Sequence, residues 1–422
     1  MRGLMFGWEF PPFISGGLGT ACFGITKGLT ELGHEVIFVL PKVKGRGLSS
    51  HVQILSASEV PLASSGLEEG SADVLDVRTI DTLLRPYINE ARYEEHLKAI
   101  REGRTAYPTG GILEISGDYG PNLVEEITRY GRVAEAIAQH ESFDVIHAHD
   151  WMTVFAGVRA SQVSGKPYIY HVHALEYDRS GENMNRDIFD IEHYGLKSAD
   201  HIIAVSHYTK KMIVARYGIP PGKITVVYNG VDSYPKRQYK QEKKHPGKVV
   251  LFLGRITFQK GPDYFVEAAA KVLEKKSDIT FVMAGSGDML PRMIERVAEL
   301  GIGKHFHFTG FLHGADVERI YGASDLYVMP SVSEPFGISP LEAAAYEVPV
   351  IISKQSGVSE VMNHVLKVDF WDVRELANKI LAALTYRALP RQLSEEGIKD
   401  LKNLTWGKAA RKTLSVYHKV CR

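Results

Sequence analysis

The sequence predicts an α/β protein built as two Rossmann-like, doubly wound domains that face each other across a cleft. Three observations predict it. The 422 residues exceed the size at which one hydrophobic core keeps growing. Short apolar runs bounded by glycine alternate with helical patterns, the mark of βαβ units and parallel sheets. The alternation breaks once, at 233–248, where SYPKRQYKQEKKHPGK is polar, basic and interrupted by two prolines, as a linker is. The expected units are a first domain over 1–235, a second over 245–400, and a closing helical segment over 401–422 that packs back toward the first domain.

Taken in order, Gly3 to Gly7 reads as a short strand and WEFPPFISGG as a loop. Cys22, Ile25, Leu29 and Leu32 then recur at helical spacing until Gly33 stops the helix and VIFVL begins a strand. DVIHAH, YIYHV, HIIAV and ITVVY are the later strands of this half. Residues 86–121 form a less regular insert marked by Pro86, Tyr87, Tyr93, Tyr107 and Pro108. Beyond the linker, VVLFL, ITFVMA, HFHF, DLYVMP and VPVII read as buried parallel strands. YFVEAAAKVLEKK lies between two of them as a helix whose apolar face is Phe265, Ala268, Ala269 and Val272. LTWGKAARKTLSVYHKV closes the chain as an amphipathic helix. Such sheets bind ligands beyond the carboxyl ends of their strands, so the expected site is the interdomain cleft.

Composition removes several function classes. Lysine plus arginine and aspartate plus glutamate both number 50, so no net field draws the chain to nucleic acid. Two cysteines, Cys22 and Cys421, at opposite ends and an N-terminus without a cleavable signal pattern point to the cytoplasm. No apolar run approaches the roughly 18 residues of a membrane span, although a membrane contact through a surface patch stays open, as does the oligomeric state. GGLGTACFG carries Cys22 where a dinucleotide fingerprint has its third glycine, and no acidic residue ends the second strand. There is no GxxxxGK[ST], no pair of aspartates two apart and no GxSxG. Dehydrogenase, P-loop and serine-hydrolase readings fall away, and any phosphate is to be bound without a metal.

What remains is a set of motifs at strand ends. Gly16, Gly17, Leu18 and Gly19 sit between a strand and a helix, where outward amides suit a diphosphate or simply form a tight turn. Arg255 and Lys260 follow VVLFL, and such cations either replace a metal at a departing diphosphate or are solvated. In SEPFGISPLE, Pro335 and Gly337 exclude a helix and Ser339 to Glu342 reads as a capping box. The amides around Phe336, Gly337 and Ile338 then face an anion, while Glu334, which the cap does not explain, is free to accept from hydroxyls. His147 and His149, and His171 and His173, alternate at strand period; without a further ligand at a recognisable spacing they read as neutral core or cleft histidines, with no metal.

Together these residues resemble the retaining glycosyltransferases of GT-B fold, above all glycosyltransferase family 4, with bacterial glycogen synthases as near relatives. GGLG, HAHDW, HVHALEYD, GRITFQKG and the glutamate pair Glu334 and Glu342 carry the resemblance over most of the chain. It implies that Arg255 and Lys260 hold the donor diphosphate and that Glu342 binds the nucleotide ribose. Glu334 and His173 would contact the transferred sugar, with His173 near its C6 hydroxyl. Asp150 and Trp151 correspond to cleft residues of glycogen synthases, and Tyr119 in the 86–121 insert falls on the acceptor wall. The implied reaction moves a hexosyl, specifically glucosyl, group from a UDP- or ADP-sugar to a carbohydrate acceptor, with no cofactor beyond that co-substrate. The chain departs from glycogen synthases at Ile14, where they carry lysine, and at Thr20, where they carry aspartate; EPFGISPLEA follows the family 4 pattern. A small-molecule or lipid-linked acceptor, a sugar-nucleotide epimerase and a non-catalytic carbohydrate-binding protein are the competing readings.

Overall fold

The computed structural model describes residues 1–11, 16–42, 51–62, 111–112, 123–231 and 247–421. The first sheet holds β1 (Arg2–Phe6), β2 (Glu35–Leu40), β3 (Gln53–Ser56), β6 (Val145–His149), β7 (Tyr168–Val172), β8 (His201–Ala204) and β9 (Ile224–Val226), in the order β3-β2-β1-β6-β7-β8-β9. The second holds β10 (Lys248–Leu253), β11 (Ile279–Ala284), β12 (Phe306–Gly310), β13 (Leu326–Met329), β14 (Val350–Ser353) and β15 (Leu366–Val368), in the order β12-β11-β10-β13-β14-β15. Between β3 and β6 in sequence, β4 (Pro61–Leu62) and β5 (Gly111–Ile112) pair antiparallel. Every pairing within the two large sheets is parallel.

Both sheets reverse their strand order once, at β1/β6 and at β10/β13, which opens a crevice at the carboxyl ends of those strands. The strands read as near-continuous apolar runs because helices cover both faces. In the second domain the helix Pro262–Leu273 buries Phe265, Ala268, Ala269 and Val272 against β10 and β11, the face the sequence spacing predicts. The strands of the two large sheets missing from the sequence reading, β3 and β15, are short edges with mixed burial, QILS and LKV, whose apolar signal is too weak to read. Leu32 corrects another expectation: it is the C-cap of the helix Gly17–Glu31 and is 36% exposed, because the helix ends one residue before it.

The closing helix Trp406–Val420, capped by the Thr405 hydroxyl on the Lys408 amide, lies on the first domain against Gly17–Glu31. Gly24 and Gly28 permit this approach. A methyl group at Gly24 would sit 2.1 Å from the Trp406 ring, and one at Gly28 2.7 Å from the Ala410 Cβ. The chain thus leaves the second domain and ends in the core of the first. No helix among the described residues is long and apolar enough to cross a membrane.

Candidate active site

A cavity of about 730 Å³ lies between the two switch points, lined by both domains. On the first domain, the helix Gly17–Glu31 begins at the cavity, with Gly16 as an N-cap that has no side chain to satisfy the first amides. Those amides, at the positive end of a helix with no acidic residue in its first turn, are free to meet an anion. Gly16, Gly17, Leu18 and Thr20 line the cavity. Gly19 does not: it sits inside the first turn and is buried, which corrects its inclusion among the predicted contacts.

The second domain supplies the opposite wall. Arg255 follows the end of β10, and Lys260 ends the short 3₁₀ turn Phe258–Lys260, so both cations project from one strand end. Arg255 Nη2 donates to Gln259 Oε1 at 3.3 Å. Lys260 Nζ donates to Glu334 Oε2, which also receives Ser331 Oγ at 3.4 Å. Glu334 therefore has a partly buried ionic partner, a pairing that nothing in the sequence marks. Glu342 lines the cavity and accepts from Tyr321 Oη at 3.0 Å.

The capping box expected at Ser339 does not form. The helix runs Ser339–Ala345 with Ile338 at the N-cap and no side-chain cap. Ser339 Oγ is bonded instead to Tyr327 Oη at 2.9 Å, because β13 packs directly beneath it. Gly337 takes φ = +100°, a conformation that favours glycine, and turns the chain so that Phe336, Gly337 and Ile338 all border the cavity.

Asp150 directly follows β6 at φ = +59°, strained for a residue other than glycine. Its Oδ1 accepts the amides of His173 at 2.7 Å and Ala174 at 3.2 Å. Burial raises its carboxyl to about 6, against the opposing pull of Arg179 and of those two amides. Asp150 is thus the brace of the His173 backbone as well as a cavity residue beside the buried Trp151. Tyr119 lies outside the described residues, as does the rest of the 86–121 insert apart from Gly111 and Ile112.

The four histidines form two cross-strand pairs. His147 Nε2 meets His171 Nδ1 at 3.1 Å, and His149 Nδ1 meets His173 Nε2 at 3.0 Å. His147 stacks on His149 at 4.3 Å and His171 on His173 at 4.2 Å. Tyr417 of the closing helix bonds His147 Nδ1 at 2.7 Å. Burial lowers His147 and His173 to about 3 and His149 and His171 well below their usual value, so all four are neutral. The ligand atoms of His147, His149 and His171 lie within 4.8 Å of one another. Within this cluster His149 Nε2 and His171 Nε2 are buried and have no hydrogen-bond partner among the described residues. Only His173 lines the cavity.

Among the cavity residues that escaped the sequence reading are Glu9, Arg179, Asn229 and Gln259. Arg179 donates to Glu176 Oε2 at 3.1 Å and to Glu192 Oε1 at 2.6 Å. Burial pushes Glu192 up to about 7, with Arg179 opposing. Asn229 is buried, and its Oδ1 has no hydrogen-bond partner among the described residues. The Glu176–Arg179 spacing was visible as an i,i+3 helical pair. Nothing local to Asn229 or Glu9 marks them.

Two facing parallel sheets of seven and six strands, each with one switch point at the cavity, are the architecture of the GT-B fold, which solved glycosyltransferases of this class share. More particularly, residues 104–233 match the family model described as Glycosyltransferase Family 4, and residues 234–400 match that of glycosyl transferases group 1. A glycosyltransferase of Methanocaldococcus jannaschii is 28% identical, covering 99% of this chain and 98% of its own length. The glycogen synthase of Mycobacterium tuberculosis is 25% identical over 86% of this chain and 80% of its own. Among solved structures, Anabaena HepE in complex with UDP and glucose superposes with a TM-score of 0.69 at 17% identity, covering 99% of this chain and 100% of its own.

Proposed function

We propose that the protein transfers a hexosyl group, specifically glucosyl, from a nucleotide diphosphate sugar to a carbohydrate hydroxyl, with retention at the anomeric carbon and without a metal. The observation that carries this reading is the meeting of Arg255, Lys260, Glu334 and Glu342 in one cavity with the open helix start at Gly16 and Gly17. Two cations and free amides suit a diphosphate, and carboxylates suit sugar hydroxyls. The UDP-bound relative supports a uridine nucleotide, with an ADP-sugar as the other donor to test. The glycogen synthase relative supports an α-glucan acceptor.

In this mechanism the bond between the anomeric carbon and the β-phosphate oxygen breaks. The acceptor oxygen bonds to that carbon on the same face, and its proton passes to the departing phosphate oxygen. Arg255, Lys260 and the helix-start amides stabilise the charge that grows on the diphosphate, an effect of about 3 kcal/mol per well-placed donor. Glu342 would hold the ribose. Glu334 and His173 would hold the sugar, with His173 neutral and therefore a hydrogen-bonding group.

The test incubates the protein with UDP-glucose or ADP-glucose, with and without glycogen, in excess chelator, and follows products by NMR. Retained α-linked product that needs the acceptor supports the reading, and product on a small or lipid-linked acceptor alone redirects the acceptor assignment. Complete turnover of the nucleotide sugar without acceptor would make it an epimerase. Tight donor binding with no turnover on any acceptor would make it a binding protein, and loss of activity in chelator would restore a metal role.

A further inference from the structure

Glu334 belongs to the second domain, yet both of its chain neighbours are held by the first. Ser333 Oγ donates to Asp178 Oδ1 at 2.6 Å and lies 2.9 Å from Tyr208 Oη. The Pro335 carbonyl accepts from Ser206 Oγ at 2.5 Å and from Thr209 Oγ1 at 3.3 Å. Ser206, Thr209 and Asp178 are buried, as are Ser333 and Glu334. Within its own domain Glu334 has backbone bonds to Gln355 O at 3.0 Å and from the Gly357 amide at 2.9 Å. A Cβ at Gly357 would come within 2.5 Å of the Ser206 side chain, so the two domains touch closely here.

We propose that Ser206 and Asp178 are positioning residues for Glu334: the first domain sets the carboxylate that faces the transferred sugar by gripping the residues on either side of it. Buried hydroxyl bonds to a carbonyl and to a carboxylate have steep directional preferences, so the grip fixes the loop in position and in orientation. The Lys260 contact pulls the carboxylate toward the donor side, while Asp178 and Ser206 fix the backbone that carries it. Asp178 also shares a short helix, Glu176–Ser180, with the cavity residue Arg179. Through that helix, the cavity residue Arg179 of the first domain and the carboxylate assigned to the transferred sugar are parts of one hydrogen-bonded unit. The carboxylate is therefore in place only when the two domains are together.

The kinetic readout rests on the transferase reading above; the exchange readout does not. Ser206→Gly removes the bond to Pro335 while keeping nearly all of the N-cap of the helix His207–Tyr217, because glycine caps almost as well as serine. Tyr208→Phe removes one hydroxyl from Ser333 and no cap. Each variant is expected to lower kcat by about 10- to 100-fold, the cost of a small misplacement of a reacting group. The KM for the nucleotide sugar and the Kd for UDP should stay within about twofold on the same scale. Ser206→Thr, which keeps the hydroxyl, should restore kcat. Deuterium uptake over 331–337 should rise in Ser206→Gly, with β11 unchanged. A double variant of Tyr208→Phe with Ser333→Ala should lose no more than Ser333→Ala alone. Unchanged uptake over 331–337, equal loss of UDP binding and kcat, or additive losses in the double variant would overturn the proposal. If the wild-type protein transfers nothing, the function reading fails and the exchange result decides the grip by itself.

Discussion

The ammonium of Lys260 donates to the carboxylate of Glu334 across the switch point of the second sheet, joining the ends of β10 and β13. Lys260 keeps 17% of its side-chain surface and Glu334 8%, so each compensates the other's lost hydration.

Removing one partner should therefore cost stability as well as turnover. Lys260→Ala is expected to lose about 3 kcal/mol, the low end for breaking a buried pair, in urea unfolding. It should also lose at least about 100-fold in kcat/KM. Adding Glu334→Gln should recover most of the stability and none of the turnover. A Lys260→Ala protein as stable as wild type would show that the pair is solvated.

Asp150 separates two roles by isosteric substitution. If its Oδ1 matters as the acceptor for the His173 and Ala174 amides, Asp150→Asn keeps an acceptor oxygen and the shape of the side chain. Asp150→Ala loses both. The expected order of kcat is wild type, then Asn within about tenfold, then Ala at least about tenfold lower again. Equal damage from Asn and Ala would show that the negative charge itself is needed.

The seat of the closing helix can be tested without activity. Gly24→Ala places a methyl group against the buried Trp406 ring, and the overpacking should cost about 1–3 kcal/mol. Thermal unfolding should show a lower Tm, and amide exchange over Trp406–Val420 should rise. An unchanged Tm would mean that the helix adjusts freely.

The histidine array makes folding sensitive to acid. His147 titrates near 6.5 in the unfolded chain and at about 3 when folded, so between those pH values the unfolded state binds a proton that the fold refuses. Stability from this residue is full above pH 6.5 and falls by about 1.4 kcal/mol per pH unit below it. Asp150, Asp178 and Glu192 have raised values and bias the same range in the opposite direction. The difference between wild type and His147→Gln cancels them, and its curve should be shallower by that slope between pH 6.5 and 3. Parallel curves would place a charged histidine in the fold.

The fold was legible because buried parallel strands and amphipathic helices write their period into the chain. VVLFL, ITFVMA and the Phe265, Ala268, Ala269, Val272 stripe show both periods clearly. Arg255, Lys260, Glu334 and Glu342 were legible because strand ends in doubly wound sheets face the cleft, so residue type and distance from an apolar run suffice to place them there.

Other features depended on contacts distant in sequence. The Ser339–Glu342 spacing suited a capping box, but the hydroxyl went to Tyr327, 12 residues away, since a packed tyrosine competes successfully with a local amide. The Lys260–Glu334 pair, the His147 bond to Tyr417 across 270 residues, and the grip of Asp178 and Ser206 on the Glu334 loop have no local period. The sequence by itself determined which elements form and which chemistry reaches the cleft, because those follow from periodicity and from position along a strand. Only the tertiary structure decided which charge meets which and which domain holds which loop, because hydrogen-bond partners are chosen by packing between segments far apart in the chain.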